Sequence, residues 1–335
     1  MPLEEIINRQ GIIISAPASG AGKTTVTLGL INAFARKGSV QPFKSGPDYI
    51  DSKFQSVAAD RPSYNLDTWA MSSSDILNMI GMVGPSDICI AEGSMGLFDG
   101  VISKGAGGNG STADLASITN WPVILVVDCA KQAQSVAALI TGFNSFRHDI
   151  TIGGVILNNI SSKRHEALVV SEVSKTKVPI LGVIPRSNEL TIPERHLGLV
   201  QAEDLSDLEQ LIFKLGKLIE ENCDLEAIAC TARNSSPPIS TLQKITPPAQ
   251  RIAIARDNAF TFTYSHLIEG WKKQGAEISF FSPLNDEPPS NSDDMVWLPG
   301  GYPELYLGRL SECKNFKNGL IDFSKKRPVH GECGG

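Results

Sequence analysis

Six short apolar runs, at 12–14, 40–43, 88–91, 123–127, 155–157 and 180–184, punctuate the first 190 or so residues of the chain. Most are apolar on consecutive residues instead of on every second one. A strand with one wet face alternates, whereas a strand covered on both faces does not, so this pattern demands helices on both sides of a parallel sheet. The stretches between the runs supply them: 25–37 and 135–146 have helical length and spacing. The first closes on Arg36, Lys37 and Gly38, a cationic last turn followed by a glycine suited to a left-handed cap. An α/β architecture with a parallel sheet is the expectation.

The rhythm breaks at CTARNSSPPISTLQKITPPAQ, where two Pro-Pro pairs and small polar residues predict an extended linker. This gives a first domain over 1–230, a linker over 231–250 and a second α/β segment over 251–335. The second segment carries strands expected at 252–255, 278–281, 295–298 and 328–330, and helices at 264–274 and 316–325. About 85 residues is short for an α/β domain, so the second segment reads as unfinished.

Composition removes several classes of function. Thirty Lys and Arg against 36 Asp and Glu leave a net charge of −6, with no basic surplus to displace counterions from nucleic acid. No run approaches the ~18 apolar residues of a membrane span, and MPLEEIINRQ lacks the basic and apolar regions of a secretory signal. Cys89, Cys129, Cys223, Cys230, Cys313 and Cys333 form no CxxC pair or Cys/His cluster. Reduced thiols and a cytoplasmic location follow as expectations.

The segment GIIISAPASGAGKTTVTLGL is a strand, a glycine-rich loop and a helix in immediate succession. Such a loop turns its N–H groups onto phosphate oxygens, and the helix N-terminus adds its positive end. Gly20, Ala21, Gly22, Lys23, Thr24 and Thr25 form the expected nucleotide cradle. Lys23 would reach the β- and γ-phosphates and the Thr24 hydroxyl would ligate Mg²⁺. Pro17 occupies the first glycine position of the strict motif, a relaxation found in dethiobiotin synthetase and the partition ATPases. Ala18 stands where the partition branch carries a second lysine, which favours the synthetase branch.

Two further segments belong on the same sheet edge. Glu92 ends the run at 88–91 and is the natural partner for Mg²⁺, with Asp99 in the turn beyond it. After the run at 40–43, Lys44, Asp48 and Asp51 lie close together. Lys44 could neutralise a transferring phosphoryl group and Asp48 could hold the metal. An ordinary solvated Gly-Pro-Asp turn explains the same residues equally well.

Read together, SAPASGAGKTT, KSGPDYIDSKF, AEGSMGLFDGV, GSTADLA, LTIPERHLGL, FSPLND, PGGYPEL and ECGG resemble the cobyrinic (or hydrogenobyrinic) acid a,c-diamide synthases over essentially the whole chain. Ser94, Ser52 and Gln55 depart from the valine, proline and histidine common at those positions. The resemblance implies a dethiobiotin-synthetase-like P-loop domain followed by a class I glutaminase-like domain. It implies a carbon–nitrogen ligase that amidates the a and c carboxylates of a corrinoid with ATP, Mg²⁺ and L-glutamine, and it is compatible with a homodimer. Cobyric acid synthase, a nickel-sirohydrochlorin relative, or a P-loop ATPase without ligase chemistry are the rival readings.

By the same resemblance, Asp48, Glu92 and Asp99 serve metal binding or catalysis, Lys44 contacts phosphate and Tyr49 lies near the substrate. Cys333 matches the glutaminase nucleophile, on an elbow where a following helix N-terminus activates the thiol. Gly300 and Gly301 match the oxyanion-hole loop. Arg186, Arg195 and His196 are candidate cations for the substrate's carboxylates. The family continues past Cys333 to a base histidine, and His330 is not that residue, so the glutaminase as given is expected to be incomplete.

Overall fold

The computed structural model describes residues 9–187, 194–195, 198–199, 207–235 and 245–335. The chain divides into two compact units, Met1–Leu242 and Gln243–Gly335.

The first unit is built on strands β1 (Arg9–Ser15), β2 (Val40–Ser45), β3 (Tyr64–Leu66), β4 (Ile88–Glu92), β5 (Val123–Asp128), β6 (Ile152–Ile160) and β7 (Ile180–Pro185). They lie in the order β3-β2-β4-β1-β5-β6-β7, and every neighbouring pair on that path is parallel. Helices α1 (Lys23–Ala35), α2 (Tyr49–Ala59), α3 (Ser73–Met82), α4 (Thr112–Thr119), α5 (Val136–Phe146), α6 (Lys163–Val173), α7 (Leu208–Asn222) and α8 (Leu225–Thr231) connect or follow them. One face of the sheet, with Ile12, Ile14, Ile90 and Val126, packs against α1, α2, α7 and α8. The other, with Ile13, Phe43, Ala91 and Leu125, packs against α3 to α6. Burial on both faces is the physical reason for the uninterrupted apolar runs.

Two local expectations need correction. The helix at 25–37 begins two residues earlier, at Lys23, and ends at Ala35. Gly38 does not adopt the left-handed conformation; its N–H closes an ordinary turn onto the Phe34 carbonyl. A Cβ there would sit 2.6 Å from Asp87 Oδ2, so a side chain at this position would have to push the exposed Asp87 carboxylate aside. Arg36 leaves the helix end to pair with Glu220 of α7 at 2.7 Å.

Two short pairings complete this unit. Strands β8 (Glu194–Arg195) and β9 (Gly198–Leu199) pair antiparallel. Within the stretch expected to be linker, β10 (Arg233–Ser235) pairs antiparallel with Arg9–Gly11 of β1.

The second unit carries a parallel sheet of β11 (Arg251–Ala255), β13 (Glu277–Phe281), β14 (Met295–Leu298) and β16 (Val329–Gly331), in the order β13-β11-β14-β16. Strand β12 (Phe260–Phe262) pairs antiparallel with β15 (Gly300–Gly301). Helices Ser265–Lys273 and Lys314–Ser324 fall close to where the sequence predicts them.

Candidate active site

Ligands of α/β sheets bind at the carboxyl ends of the strands, and there the first unit gathers its charged residues. Chain leaves β1 at Ser15, turns through Gly20 (φ 78°) and Gly22 (φ 89°), and enters α1 at Lys23. No side chain caps this helix, so its first N–H groups remain for a ligand. Asn158 at the end of β6 donates through Nδ2 to the Ala21 carbonyl at 3.0 Å, and a Cβ on Gly22 would fall 2.3 Å from that nitrogen. Lys23 is buried, which lowers its pKa even against the attraction of Glu92.

Glu92, fully buried at the end of β4, ties the elements together. Its Oε1 accepts from Thr24 Oγ1 at 2.7 Å and from Lys44 Nζ at 3.1 Å. Its Oε2 accepts from Gln55 Nε2 at 2.8 Å, and Gln55 Oε1 accepts in turn from Ser63 Oγ at 2.8 Å. Burial raises the Glu92 pKa, while Lys44, Thr24 and Gln55 pull it back. Lys44, at the end of β2, is also paired with Asp51 on α2. Burial opposes its charge, but Glu92 and Asp51 outweigh burial and hold the ammonium well above its ordinary pKa.

Asp48 is the N-cap of α2: its Oδ1 accepts from the Ile50 and Asp51 N–H groups at 2.9 and 3.1 Å. Burial, reinforced by Asp51, raises its pKa. Tyr49 opens α2 and is half-buried. In the loop after β4, Asp99 Oδ2 accepts from the Gly96 N–H at 2.8 Å, and the Leu97 N–H donates to the Ala16 carbonyl at 2.8 Å. The β4 loop is thereby stitched to the phosphate loop.

The structure thus brings Gly20 to Thr25, Lys44, Asp48, Glu92 and Asp99 to one edge, but it commits both oxygens of Glu92 to protein donors. Two partners carry no role in the sequence reading, Gln55 and Asp51. Their spacing of four after the Asp48 cap puts both on one helix face, and that was the available signal. Asn158 is a third; a polar residue inside the apolar run VILNNI was its signal.

Arg186 is not brought to this cluster. It follows β7, at the opposite end of the sheet from β2, and lines a groove with Ser161, Ser162 and Asp224. The cleft beside the phosphate loop is lined instead by Gly20, Gly22, Thr25, Asn158, Asn159 and Pro185. Arg195 stands in β8, and His196 lies outside the described residues.

In the second unit, exposed Cys333 follows β16 in the left-handed region, with φ 51°. That conformation is uncommon for a side chain larger than glycine and marks a sharp elbow. A Cβ on Gly300 would lie 2.9 Å from Cys333 Cβ, so the thiol-bearing turn runs directly against the Gly300–Gly301 strand. His330 instead packs against Trp297 in a tilted arrangement, with ring centres 4.3 Å apart, and lies 3.3 Å from Glu332.

The uncapped α1 terminus, the two left-handed glycines and buried Lys23 fit a nucleotide polyphosphate. Among the described residues no three His, Cys, Asp or Glu side chains converge as a metal site. No helix among the described residues is long and apolar enough to cross a membrane.

Comparison with known proteins agrees with this division of chemistry. Residues 12–200 match the CobQ/CobB/MinD/ParA nucleotide binding domain, and residues 251–335 match the CobB/CobQ-like glutamine amidotransferase domain. Hydrogenobyrinate a,c-diamide synthase of Rhodobacter capsulatus is 47% identical over 327 residues, 97% of this chain and 75% of that protein. The proteins of the same name from Brucella anthropi and a Sinorhizobium species are 46% and 47% identical, with the same shares covered. Among solved structures, chloroplast FtsY from Physcomitrella patens superposes with a TM-score of 0.38 at 15% identity, over 61% of this chain and 65% of that one. That likeness is too loose to bear on the site. Identity near one half, sustained through both matched domains, establishes that the chain belongs to the hydrogenobyrinate a,c-diamide synthase family.

Proposed function

We propose that this protein is a glutamine-hydrolysing ligase that converts the a and c carboxylates of hydrogenobyrinate or its cobalt-containing counterpart into amides. The observation that carries the reading is the Thr24–Glu92–Lys44 chain, which joins the phosphate loop to the ends of β2 and β4 through buried Glu92 and Lys44. It sets a nucleotide cradle and a carboxylate-handling cluster side by side.

A carboxylate does not accept ammonia, because the anion is a poor electrophile and hydroxide a poor leaving group. Attack of a carboxylate oxygen on the γ-phosphorus of ATP forms an acyl phosphate and releases ADP. Ammonia then attacks the carbonyl carbon and phosphate departs. Lys23 binds the β- and γ-phosphates, and the α1 N-terminus holds their remaining charge. Lys44, kept protonated by Glu92 and Asp51, presents fixed positive charge beside the transferring group. Glu92 orients Thr24 and Lys44. Mg²⁺, when bound, neutralises phosphate charge, and Thr24 and Asp48 are the residues that would hold it. Tyr49, at the start of α2, borders the substrate.

In the second unit, Cys333 would attack the glutamine carboxamide to release ammonia, and the Gly300–Gly301 backbone would bind the oxyanion. Residues 1–230 act as the amidoligase and 251–335 belong to the glutaminase. We place the reaction in the cytoplasm, where the six free thiols stay reduced.

The test is incubation of the protein with hydrogenobyrinate, ATP, Mg²⁺ and ammonium, with the product read by mass spectrometry. A diamide is expected. ATP turnover that is indifferent to the tetrapyrrole, with no amide formed, would replace this reading by that of a P-loop ATPase without ligase chemistry.

A further inference from the structure

Two loops at the β2–β3–β4 end of the catalytic edge hold large apolar side chains out in solvent. Trp69, after β3, is 48% exposed and Met95, after β4, is 57% exposed. Val101 is 53% exposed and Ile102 is fully exposed, in the turn that follows. Isolated exposed hydrophobes are unremarkable; four on two adjoining loops form a patch that calls for an occupant.

The patch is a built surface. The Ala106 and Gly107 N–H groups donate to the Trp69 and Thr68 carbonyls at 2.7 and 2.9 Å. Gly105 N–H donates to the Gly108 carbonyl at 2.7 Å, and Val101 N–H to the Asn109 carbonyl at 2.9 Å. A Cβ on Gly105 would lie 1.9 Å from the Trp69 carbonyl oxygen, so glycine here serves close packing between the loops. Met95 is held at φ 50°, a conformation that side chains avoid unless their surroundings impose it.

The patch is also continuous with the candidate site. Met95 belongs to the turn in which Asp99 binds the Gly96 N–H, and that turn is tied to the phosphate loop through Leu97 and Ala16. On the other flank, Asn65 in β3 donates to the Gly46 and Asp48 carbonyls at 2.8 and 2.9 Å, joining the Trp69 side to the Asp48 turn. An apolar surface therefore borders a cluster that binds phosphate and carboxylate. A tetrapyrrole-derived ring has the matching chemistry: broad apolar faces and a rim of carboxylates.

We propose that Trp69, Met95, Val101 and Ile102 form the platform on which an apolar face of the macrocyclic substrate rests while a rim carboxylate reaches the Lys23–Glu92 site. This rests on the ligase reading above and adds to it the residues that select for a large ring. Aromatic, thioether and branched aliphatic side chains contribute area and adaptability without competing for the carboxylates.

The test compares the wild-type protein with Ile102→Ser and Trp69→Ser in amidation of hydrogenobyrinate, measuring KM for the macrocycle, for ATP and for ammonium. Each substitution removes only side-chain surface, since the bonds that hold the loops are made by backbone. The expected result is a rise of about tenfold in KM for hydrogenobyrinate, with KM for ATP and ammonium unchanged. Direct binding of hydrogenobyrinate without ATP should weaken in proportion. If the wild type forms no amide, the ligase reading itself fails. If the wild type is active and both variants keep its KM for hydrogenobyrinate, the platform is refuted. A lower oligomeric mass with unchanged KM would give the patch to a second copy of the chain. A parallel rise in KM for ATP would reduce it to a structural element of the phosphate loop.

Discussion

The two candidate centres solve opposite problems. In the first unit Lys44 and Glu92 are buried among other charged and polar groups, and each is held in place by its neighbours. In the second, Cys333 is exposed and is set by backbone alone, on a left-handed elbow against Gly300. Phosphoryl transfer has little covalent work for a protein to do, so its site is a fixed arrangement of charge. Amide hydrolysis by a thiol needs a presented nucleophile and N–H donors, so its site is a shape. The first centre should therefore respond to changes in charge, and the second to changes at a single atom.

The largest effect expected is that of Lys23→Ala. It should lower amidation by about 10³-fold or more with glutamine and ammonium alike, since both nitrogen sources need the same phosphoryl transfer. With the glutaminase's base histidine present, Cys333→Ser should break the symmetry by abolishing glutamine use and leaving ammonium-dependent amidation near normal. Loss of both in the Cys333 variant would mean that the two centres cannot be separated in this way. Steady-state rates with each nitrogen donor decide.

Glu92→Gln keeps the shape of β4's end but takes one of two counter-charges from buried Lys44. A loss of about 100-fold in turnover and about 3 kcal/mol in urea-measured stability is expected. Unchanged stability would mean that Asp51 alone balances Lys44.

The pH dependence of ATP binding sharpens the electrostatic side. Lys23 has a lowered pKa in the free site, and a bound polyphosphate favours its charged form. Binding should thus take up protons in the alkaline range, and affinity should fall as pH rises through the lowered pKa. Over that range Lys23's contribution to folding has the opposite sign, because the unfolded chain binds more protons there. Calorimetry in buffers of differing ionisation enthalpy would show the uptake; proton release on binding would contradict it.

The smallest effect is that of Gln55→Leu, which leaves Glu92 Oε2 and Ser63 without their partner. A cost of about 1–3 kcal/mol should come with a weaker dependence of rate on Mg²⁺, as Thr24 loses its orientation through Glu92. Gln55→His, which restores a donor, should recover most of both.

Much of the first unit is legible in the sequence because parallel strands covered on both faces must be continuously apolar, and because the phosphate loop compresses strand, turn and helix into a dozen residues. Lys44 and Glu92 are visible as charges ending such runs. What bonds to them is less so. Gln55 and Asp51 act from the α2 face through a fold-level approach of β4, and no local pattern states that Glu92 lies opposite them. Gly38 shows the same limit: its place after a helix suggests a left-handed cap, whereas its backbone takes no such conformation and its neighbour is Asp87, distant in sequence. The charge of Arg186 suggests a substrate contact, whereas strand order sets it at the far end of the sheet from β2.

The bond from Asn158 to the Ala21 carbonyl bears on when the phosphate loop loses its freedom. Fixing one residue's backbone costs about 1–2 kcal/mol of conformational entropy. Because β6 already holds the Ala21–Gly22 peptide in place, that ordering is completed during folding and does not weigh on each nucleotide encounter. A loop prepared in this way should capture ATP without a slow closing step. With Asn158→Ala, nucleotide association should slow, as ordering of the loop is deferred from folding to catalysis.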